Sequence, residues 1–121
     1  MAKMLLIEDN PMNCELAKFL IENAGHQCIA VPDGLQGIER AQSEHFDVIL
    51  LDIQLPKIDG YGVLKELRQK LAAAVPIIAV SSYAMVGDSS RAMTAGFDGY
   101  ISKPIKAERF VKEVLELAHL E

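Results

Sequence analysis

The sequence predicts an α/β fold in which helices cover both faces of a parallel β-sheet. Five short apolar runs alternate with five longer segments of helical periodicity along the 121 residues, and this alternation is typical of a parallel sheet. One of the runs, residues 48–51, is apolar at every position, as expected for a central strand that is buried on both faces. The length corresponds to one domain of ordinary size.

Local signals place the first strands and helices. Residues 4–7 form an apolar run that stops at two acids, after which Asn10 and Pro11 supply a helix N-cap and a first-turn proline. Gly25 is the expected end of this helix, and residues 28–31 form the second predicted strand. The first two helices are expected to bury apolar sides that consist of Leu16, Phe19, Leu20 and Ala24 in the first, and of Leu35, Ile38 and Ala41 in the second.

The second half of the chain continues the alternation. The strand over 48–51 ends at Asp52, a loop follows over 53–60, and the fourth strand is predicted at 77–80. A helix that contains Ser and Gly is predicted over 86–95. Apolar positions define the third helix, the fifth strand and the fifth helix: Val63, Leu64, Leu67 and Leu71; Tyr100 and Ile101; and Phe110, Val111, Val114, Leu115 and Ala118.

Charge and composition exclude several kinds of partner. The chain has 12 basic and 17 acidic residues, a net charge of −5, whereas a domain that binds nucleic acid alone normally has a basic face. We therefore expect no nucleic acid partner. No apolar stretch approaches the ~18 residues needed to cross a membrane, so we expect no membrane association and predict a cytoplasmic protein. Cys14 and Cys28 are expected to be free thiols.

Charged and polar residues follow four of the predicted strands. Glu8 and Asp9 follow the first strand, Asp52 the third, Ser81 and Ser82 the fourth, and Lys103 the fifth. Ligands of open parallel sheets bind at the carboxyl ends of the strands, so we expect these side chains to converge at one edge. Two unit charges about 5 Å apart repel by about 3 kcal/mol at an effective dielectric of about 20. Oxygen ligands alone favour a hard divalent cation to offset this repulsion, and Mg²⁺ is the expected cofactor.

Around these residues the sequence resembles the receiver domains of two-component response regulators. The matching stretches are residues 6–10, 51–56, 59–60, 76–81 and 99–104. Because the resemblance runs from Met4 to the last helix, residues 1–121 are expected to form a single receiver domain. The resemblance implies a flavodoxin-like, doubly wound sheet of five parallel strands in the order 2-1-3-4-5, with five helices.

The same resemblance implies which residues bind the cation and accept the phosphoryl group. Asp52 is expected to be the phosphoacceptor. Glu8, Asp9, Asp52 and the backbone carbonyl of Gln54 are expected to hold Mg²⁺, with Glu8 acting through a bound water and Mn²⁺ as an alternative cation. Glu8 stands where the family more often has Asp, which keeps the charge and lengthens the side chain.

The resemblance also implies how phosphorylation is sensed. Lys103 and Ser81 are expected to contact the phosphoryl group, and Ser81 and Tyr100 are expected to form the switch. Ser81 stands where Thr is more frequent and keeps the hydroxyl. Gln54 and Tyr83 are expected to be modulators of the site, and the bulky Tyr83 is expected to shield the phosphoryl group.

These roles imply a signalling switch that promotes its own phosphorylation and dephosphorylation, not an enzyme that acts on other molecules. The expected phosphodonor is a histidine kinase or a histidine phosphotransfer protein. The expected target is a protein that binds the face formed by the fourth helix, the fifth strand and the fifth helix. The alternative is a receiver module excised from a hybrid histidine kinase or a phosphorelay protein.

Three other functions fit the sequence less well. A magnesium-dependent phosphatase with an aspartyl nucleophile would need a second carboxylate two residues after Asp52, where Gln54 stands. A flavodoxin would need a phosphate-binding loop after the first strand, where Glu8 and Asp9 would repel phosphate. A P-loop nucleotidase would need the GxxxxGK[ST] motif, which the sequence lacks.

Overall fold

A computed structural model describes residues 1–55, 58–71, 74–82 and 87–120. Within these residues, strands and helices alternate along the chain, in agreement with the prediction. The elements are β1 (Lys3–Ile7), α1 (Pro11–Asn23), β2 (Gln27–Val31), α2 (Gly34–Ser43), β3 (Val48–Asp52), α3 (Gly60–Lys70), β4 (Ile77–Ser81), α4 (Asp88–Ala95), β5 (Gly99–Ser102) and α5 (Phe110–Leu117). The start predicted for the fourth helix, residue 86, lies outside the described residues.

The five strands form one parallel sheet in the order β2-β1-β3-β4-β5, which confirms the predicted order. The register aligns Ile7 with Leu51, and Asp52 with Val80. The carboxyl ends of β1, β3 and β4 therefore lie side by side. The chain order reverses between β1 and β3, and this reversal is the position where parallel sheets of this kind bind ligands.

Alternate residues of each strand point to two separate cores. Leu5 and Ile7 of β1 pack in a core on the side of α2 and α3, whereas Met4 and Leu6 pack in a core on the side of α1 and α5. Every residue of β3 is buried. Because both faces of the sheet are covered, a shift of one residue in any central strand would exchange the two sets of side chains.

The predicted apolar side of α1 is wrong at three of its four residues, whereas the fourth, Leu20, is partly buried and packs against the core on the side of α1 and α5. The buried residues of α1 are Ala17 and Ile21, whereas Leu16 and Phe19 are 39% and 64% exposed and Ala24 is also exposed. Apolar residues occur on several sides of this helix, so periodicity alone did not select one. The side that contains the small Ala17 is the side that packs on the sheet.

A second correction concerns α2. Its buried residues include Ile38 and Ala41, as predicted, but Leu35 is 53% exposed. The helix instead approaches the sheet through Gly37, where an added Cβ would lie 2.3 Å from Cδ1 of Ile7. A glycine at this position lets the helix backbone come close to β1, and that approach leaves Leu35 at the surface.

The cap of α1 and the two free thiols agree with the sequence. The side chain of Asn10 caps α1 by accepting a hydrogen bond from the backbone N–H of Asn13 at 3.1 Å. Cys14 and Cys28 are free thiols. Within the described residues, no helix is both long and apolar enough to span a membrane.

Gly60 sets the position of the loop that follows Asp52, and replacing it should be costly. A Cβ at Gly60 would lie 2.5 Å from Cα of Ile53 and 2.7 Å from the carbonyl oxygen of Asp52, and backbone atoms have little room to move. We expect Gly60→Ala to lower the free energy of unfolding by about 1–3 kcal/mol, measured by urea denaturation. The matched control is Gly62→Ala, whose Cβ would lie 2.8 Å from the side-chain methyl Cγ2 of Ile58 and near no backbone atom within 4 Å. Because a side chain can move more easily than backbone, Gly62→Ala should cost less stability than Gly60→Ala. Equal losses in the two variants would contradict the prediction.

Candidate functional site

The structure brings Glu8, Asp52 and Lys103 together at the carboxyl edge of the sheet. Glu8 follows β1, Asp52 is the last residue of β3, and Lys103 follows β5. The Nζ atom of Lys103 lies 2.7 Å from Oε1 of Glu8 and 3.2 Å from Oδ2 of Asp52. The side chains of both acids are 3% exposed and that of Lys103 is 11% exposed. One ammonium therefore pairs with two carboxylates that are almost completely shielded from water.

Lys103 stays protonated in this environment. Burial by itself lowers the pKa of the ammonium, but the hydrogen bond to Glu8 and the charge of Asp52 outweigh burial and raise the pKa above its ordinary value. The backbone N–H of Lys103 also donates to the carbonyl oxygen of Ser81 at 2.8 Å. The lysine is thus fixed at both ends, by the end of β4 and by the two carboxylates.

Asp52 is a weaker acid in this site than in water. Burial raises the pKa of its carboxyl to about 6, and the charge of Glu8 adds to this effect. Lys103 and the backbone N–H of Gln54, which donates to Oδ1 of Asp52 at 2.9 Å, act in the opposite direction. A carboxyl with this pKa is mainly ionised at neutral pH.

The acidic residues fit a hard divalent cation. Glu8, Asp9 and Asp52 each offer a carboxylate oxygen, and these oxygens lie within 4.8 Å of one another. Asp9 is exposed whereas the other two acids are buried, so the group can be reached from solvent on one side. Three oxygen ligands with no nitrogen or sulfur donor among them suit Mg²⁺, which usually binds one or two carboxylates and keeps several waters.

Glu8 already uses both of its carboxylate oxygens within the protein. Oε1 lies against Lys103, and Oε2 accepts a hydrogen bond from the backbone N–H of Asn10 at 3.1 Å. Both oxygens of Glu8 therefore have partners within the protein.

Sequence reasoning missed a polar bridge beside Asp52. The side-chain oxygen Oε1 of Gln54 accepts a hydrogen bond from the hydroxyl of Ser82 and another from the backbone N–H of Ser82 at 3.3 Å. Gln54 and Ser82 follow neighbouring strands, β3 and β4. This position at adjacent strand ends is the sequence feature that could have predicted the bridge. Gln54, Ser82, Asp52 and Lys103 line one open cavity of about 430 Å³.

The predicted switch residues occupy the two strands beyond Asp52. Ser81 ends β4 and is fully buried, and its backbone is aligned with Ser102 of β5. Tyr100 is half-buried and packs against the core on the side of α2 and α3. Tyr83, the other predicted modulator, lies outside the described residues.

The comparison with known families agrees with this geometry. The family model of the response regulator receiver domain matches residues 4–115. The chain belongs to this family. It is a receiver domain, a phosphoryl-accepting signalling switch of two-component systems.

Individual relatives are consistent with the assignment. The polar-differentiation response regulators DivK of Brucella ovis and Brucella suis are 39% identical over 112 residues, which are 92% of this chain and 91% of each relative. The receiver domain of the sensor histidine kinase PA1611 of Pseudomonas aeruginosa is 32% identical with a TM-score of 0.87, covers 98% of both chains, and has a magnesium ion coordinated in its active-site cleft. The chemotaxis protein CheY4 of Vibrio cholerae is 24% identical with a TM-score of 0.88 over 97% of this chain and 98% of its own, and supports the fold.

These comparisons favour a response regulator over a receiver module of a hybrid kinase. The DivK proteins are response regulators and match at higher identity than the kinase receiver, 39% against 32%. The acidic group, together with the magnesium ion in the related receiver, indicates a Mg²⁺ site.

The raised pKa of Asp52 predicts how stability depends on pH without metal. The pKa is about 6 in the folded protein and about 3.9 in an unfolded chain, so the folded state binds more protons between these values. The folded state is therefore penalised above pH 6, and this penalty disappears as the pH falls towards 4. In chelator at pH 7.5, Asp52→Asn should be more stable than the wild type by about 1–3 kcal/mol.

The difference should shrink steadily between pH 7 and pH 5, because the wild type gains stability as Asp52 takes up a proton. Urea unfolding of both proteins at matched ionic strength measures this difference in the free energy of unfolding. Unfolding free energies that run parallel across this range would contradict a raised pKa at Asp52.

Proposed function

We propose that Asp52 accepts a phosphoryl group from a phosphohistidine, and that Glu8, Asp9, Lys103 and Ser81 assist the transfer. The observation that carries the proposal is the contact of the Asp52 carboxylate with the ammonium of Lys103 at the base of an open cavity. Oδ1 of Asp52 is held by the backbone N–H of Gln54. The acceptor carboxylate is therefore oriented before the donor arrives.

The chemistry needs positioning and neutralisation of charge. An oxygen of Asp52 forms a bond to phosphorus while the bond from phosphorus to the imidazole nitrogen of the donor breaks, and the imidazole leaves with that electron pair. Lys103 pairs with an oxygen of the transferred group. Burial of the Glu8 and Asp52 side chains lowers the effective dielectric around the carboxylates, which strengthens these electrostatic interactions.

A bound Mg²⁺ would supply positive charge for the phosphoryl oxygens. Glu8, Asp9, Asp52 and the backbone carbonyl of Gln54 would hold it, Glu8 through a water. Mn²⁺, which favours the same oxygen ligands, would substitute.

The proposed partners follow from this chemistry. The donor is a histidine kinase or a histidine phosphotransfer protein, and the net charge of −5 does not suit nucleic acid. The chain promotes only its own phosphorylation and dephosphorylation and has no separate substrate. Free thiols at Cys14 and Cys28 suit the reducing cytoplasm, where we place the protein.

The proposed output surface consists of α4, β5 and α5. Ser81 and Tyr100 connect the site to this surface, because they lie on β4 and on its neighbour β5. The helix α4 has only 8 residues and buries one of them, Ala92. A short helix with little buried surface opens at low free-energy cost, so α4 is a suitable element to move. Gln54 and Tyr83 would tune how long the phosphorylated state lasts.

Phosphotransfer from a phosphohistidine protein tests the proposed acceptor. We expect the wild type to gain the mass of one phosphoryl group in Mg²⁺, and to gain none in chelator. Asp52→Asn should remain unlabelled under the same conditions, as measured by intact-mass spectrometry. Lys103→Ala should bind Mg²⁺ about as well as the wild type but take up the group slowly and transmit the signal poorly, while the exposed neighbour Lys106→Ala should resemble the wild type. Full labelling of Asp52→Asn would overturn the assignment.

Amide hydrogen exchange tests the proposed output surface. Beryllofluoride with Mg²⁺ mimics a phosphoryl group on a carboxylate, and we expect it to change protection in α4, β5 and the start of α5. Protection in α1 serves as the internal reference, and Asp52→Asn with the same reagents serves as the control. Identical protection of α4 with and without the mimic would argue against this surface.

A further inference from the structure

We propose that Ser82 is a positioning residue that prolongs the phosphorylated state by keeping the side-chain oxygen of Gln54 away from water. This inference rests on the proposed phosphorylation of Asp52 and concerns how the phosphoryl group is later lost.

The bridge between Gln54 and Ser82 occupies both acceptor positions of one oxygen. Oε1 of Gln54 accepts from the hydroxyl and from the backbone N–H of Ser82, and an amide oxygen has two lone pairs. The oxygen is therefore saturated by a single neighbouring residue. Both residues line the cavity that contains Asp52 and Lys103.

The backbone of Gln54 keeps the bridge close to the acceptor. Its N–H donates to Oδ1 of Asp52 at 2.9 Å. The Gln54 side chain therefore starts close to the carboxylate that would carry the phosphoryl group. Ser82 directly follows β4, the strand beside β3. The side chain of Gln54 thus crosses from one strand end to the next beside the phosphorylation site.

Loss of the phosphoryl group requires a water molecule at this place. The water oxygen forms a bond to phosphorus, the bond between phosphorus and Oδ of Asp52 breaks, and Asp52 returns as a carboxylate while the water gives up a proton to solvent. A glutamine side chain beside a phosphoryl group can orient such a water through its carbonyl oxygen. With Oε1 held by Ser82, Gln54 presents its NH₂ group, which can donate to a phosphoryl oxygen but cannot accept from water.

Removal of the Ser82 hydroxyl should therefore free one of the two acceptor positions of Oε1 of Gln54, while the backbone N–H of residue 82 keeps the other, and the freed position can accept from the attacking water. We expect Ser82→Ala to lose the phosphoryl group about fivefold faster than the wild type, a factor of the size that one hydrogen bond provides. Ser82→Thr keeps the hydroxyl and should lose the group at the wild-type rate. In the background Gln54→Met, which removes the amide and keeps the length, Ser82→Ala should have no effect on the rate.

The rates are measured by following the phosphorylated protein after the donor is removed, with inorganic phosphate as the released product. An unchanged rate of phosphoryl loss in Ser82→Ala would overturn the proposal. The proposal would also fail if Ser82→Ala accelerated this loss equally in the wild-type and Gln54→Met backgrounds. The second result would mean that Ser82 merely limits access to the cavity. If the wild type is never labelled, the proposed function itself fails, and this outcome is distinct from the other two.

A second measurement detects the bridge without phosphorylation or metal. In chelator, Ser82→Ala should lower Tm in the wild-type background and lower it less in the Gln54→Met background, because the partner is already gone. Equal shifts of Tm in the two backgrounds would show that the residues do not interact and would also overturn the proposal.

Discussion

The geometry of the site depends on one ammonium that is shared by two buried carboxylates. Glu8 and Asp52 present oxygens within 4.8 Å of each other, and at an effective dielectric of about 20 their charges would repel by about 3 kcal/mol. Lys103 contacts both and offsets much of this repulsion. With Asp9 nearby, the group retains an excess of negative charge, and this excess is what attracts a divalent cation. A neutral residue in place of Lys103 would leave two buried carboxylates without the positive charge that pairs with them, although each would keep a hydrogen bond from a backbone N–H.

The contact is possible only because of the strand order and the length of two side chains. Strands are spaced about 4.8 Å apart, and β4 separates β5 from β3 while β3 separates β4 from β1. Lys103 must therefore extend over the end of β4 to reach Asp52, and Glu8 must extend from β1 to meet it. A glutamate at position 8 has one more methylene than an aspartate, and this added reach explains how Oε1 comes within 2.7 Å of Nζ of Lys103.

The sequence predicted the features that follow from the alternation of strands and helices. Alternating apolar runs predicted the parallel sheet, and the ends of its strands predicted where Glu8, Asp52 and Lys103 would meet. The errors arose where several side chains competed for one place. Phe19 and Leu35 are apolar but exposed. In α2, the close approach of Gly37 to Ile7 of β1 determines which side of the helix faces the sheet. The bridge from Gln54 to Ser82 depends on side-chain reach between two loops, which periodicity does not encode.

A charge argument connects the site to the proposed output surface. An ionised carboxylate carries one negative charge, whereas a phosphorylated side chain carries about −1.5 to −2 at neutral pH, so phosphorylation of Asp52 would increase the negative charge beside Lys103. The ammonium would then be drawn from Glu8 towards the phosphoryl oxygens, while the cation neutralises the remainder. Lys103 directly follows β5, and its backbone N–H is bonded to Ser81 at the end of β4. A shift of this side chain would therefore act on the two strands that carry Ser81 and Tyr100, and the same ammonium that neutralises the two carboxylates would transmit the proposed change.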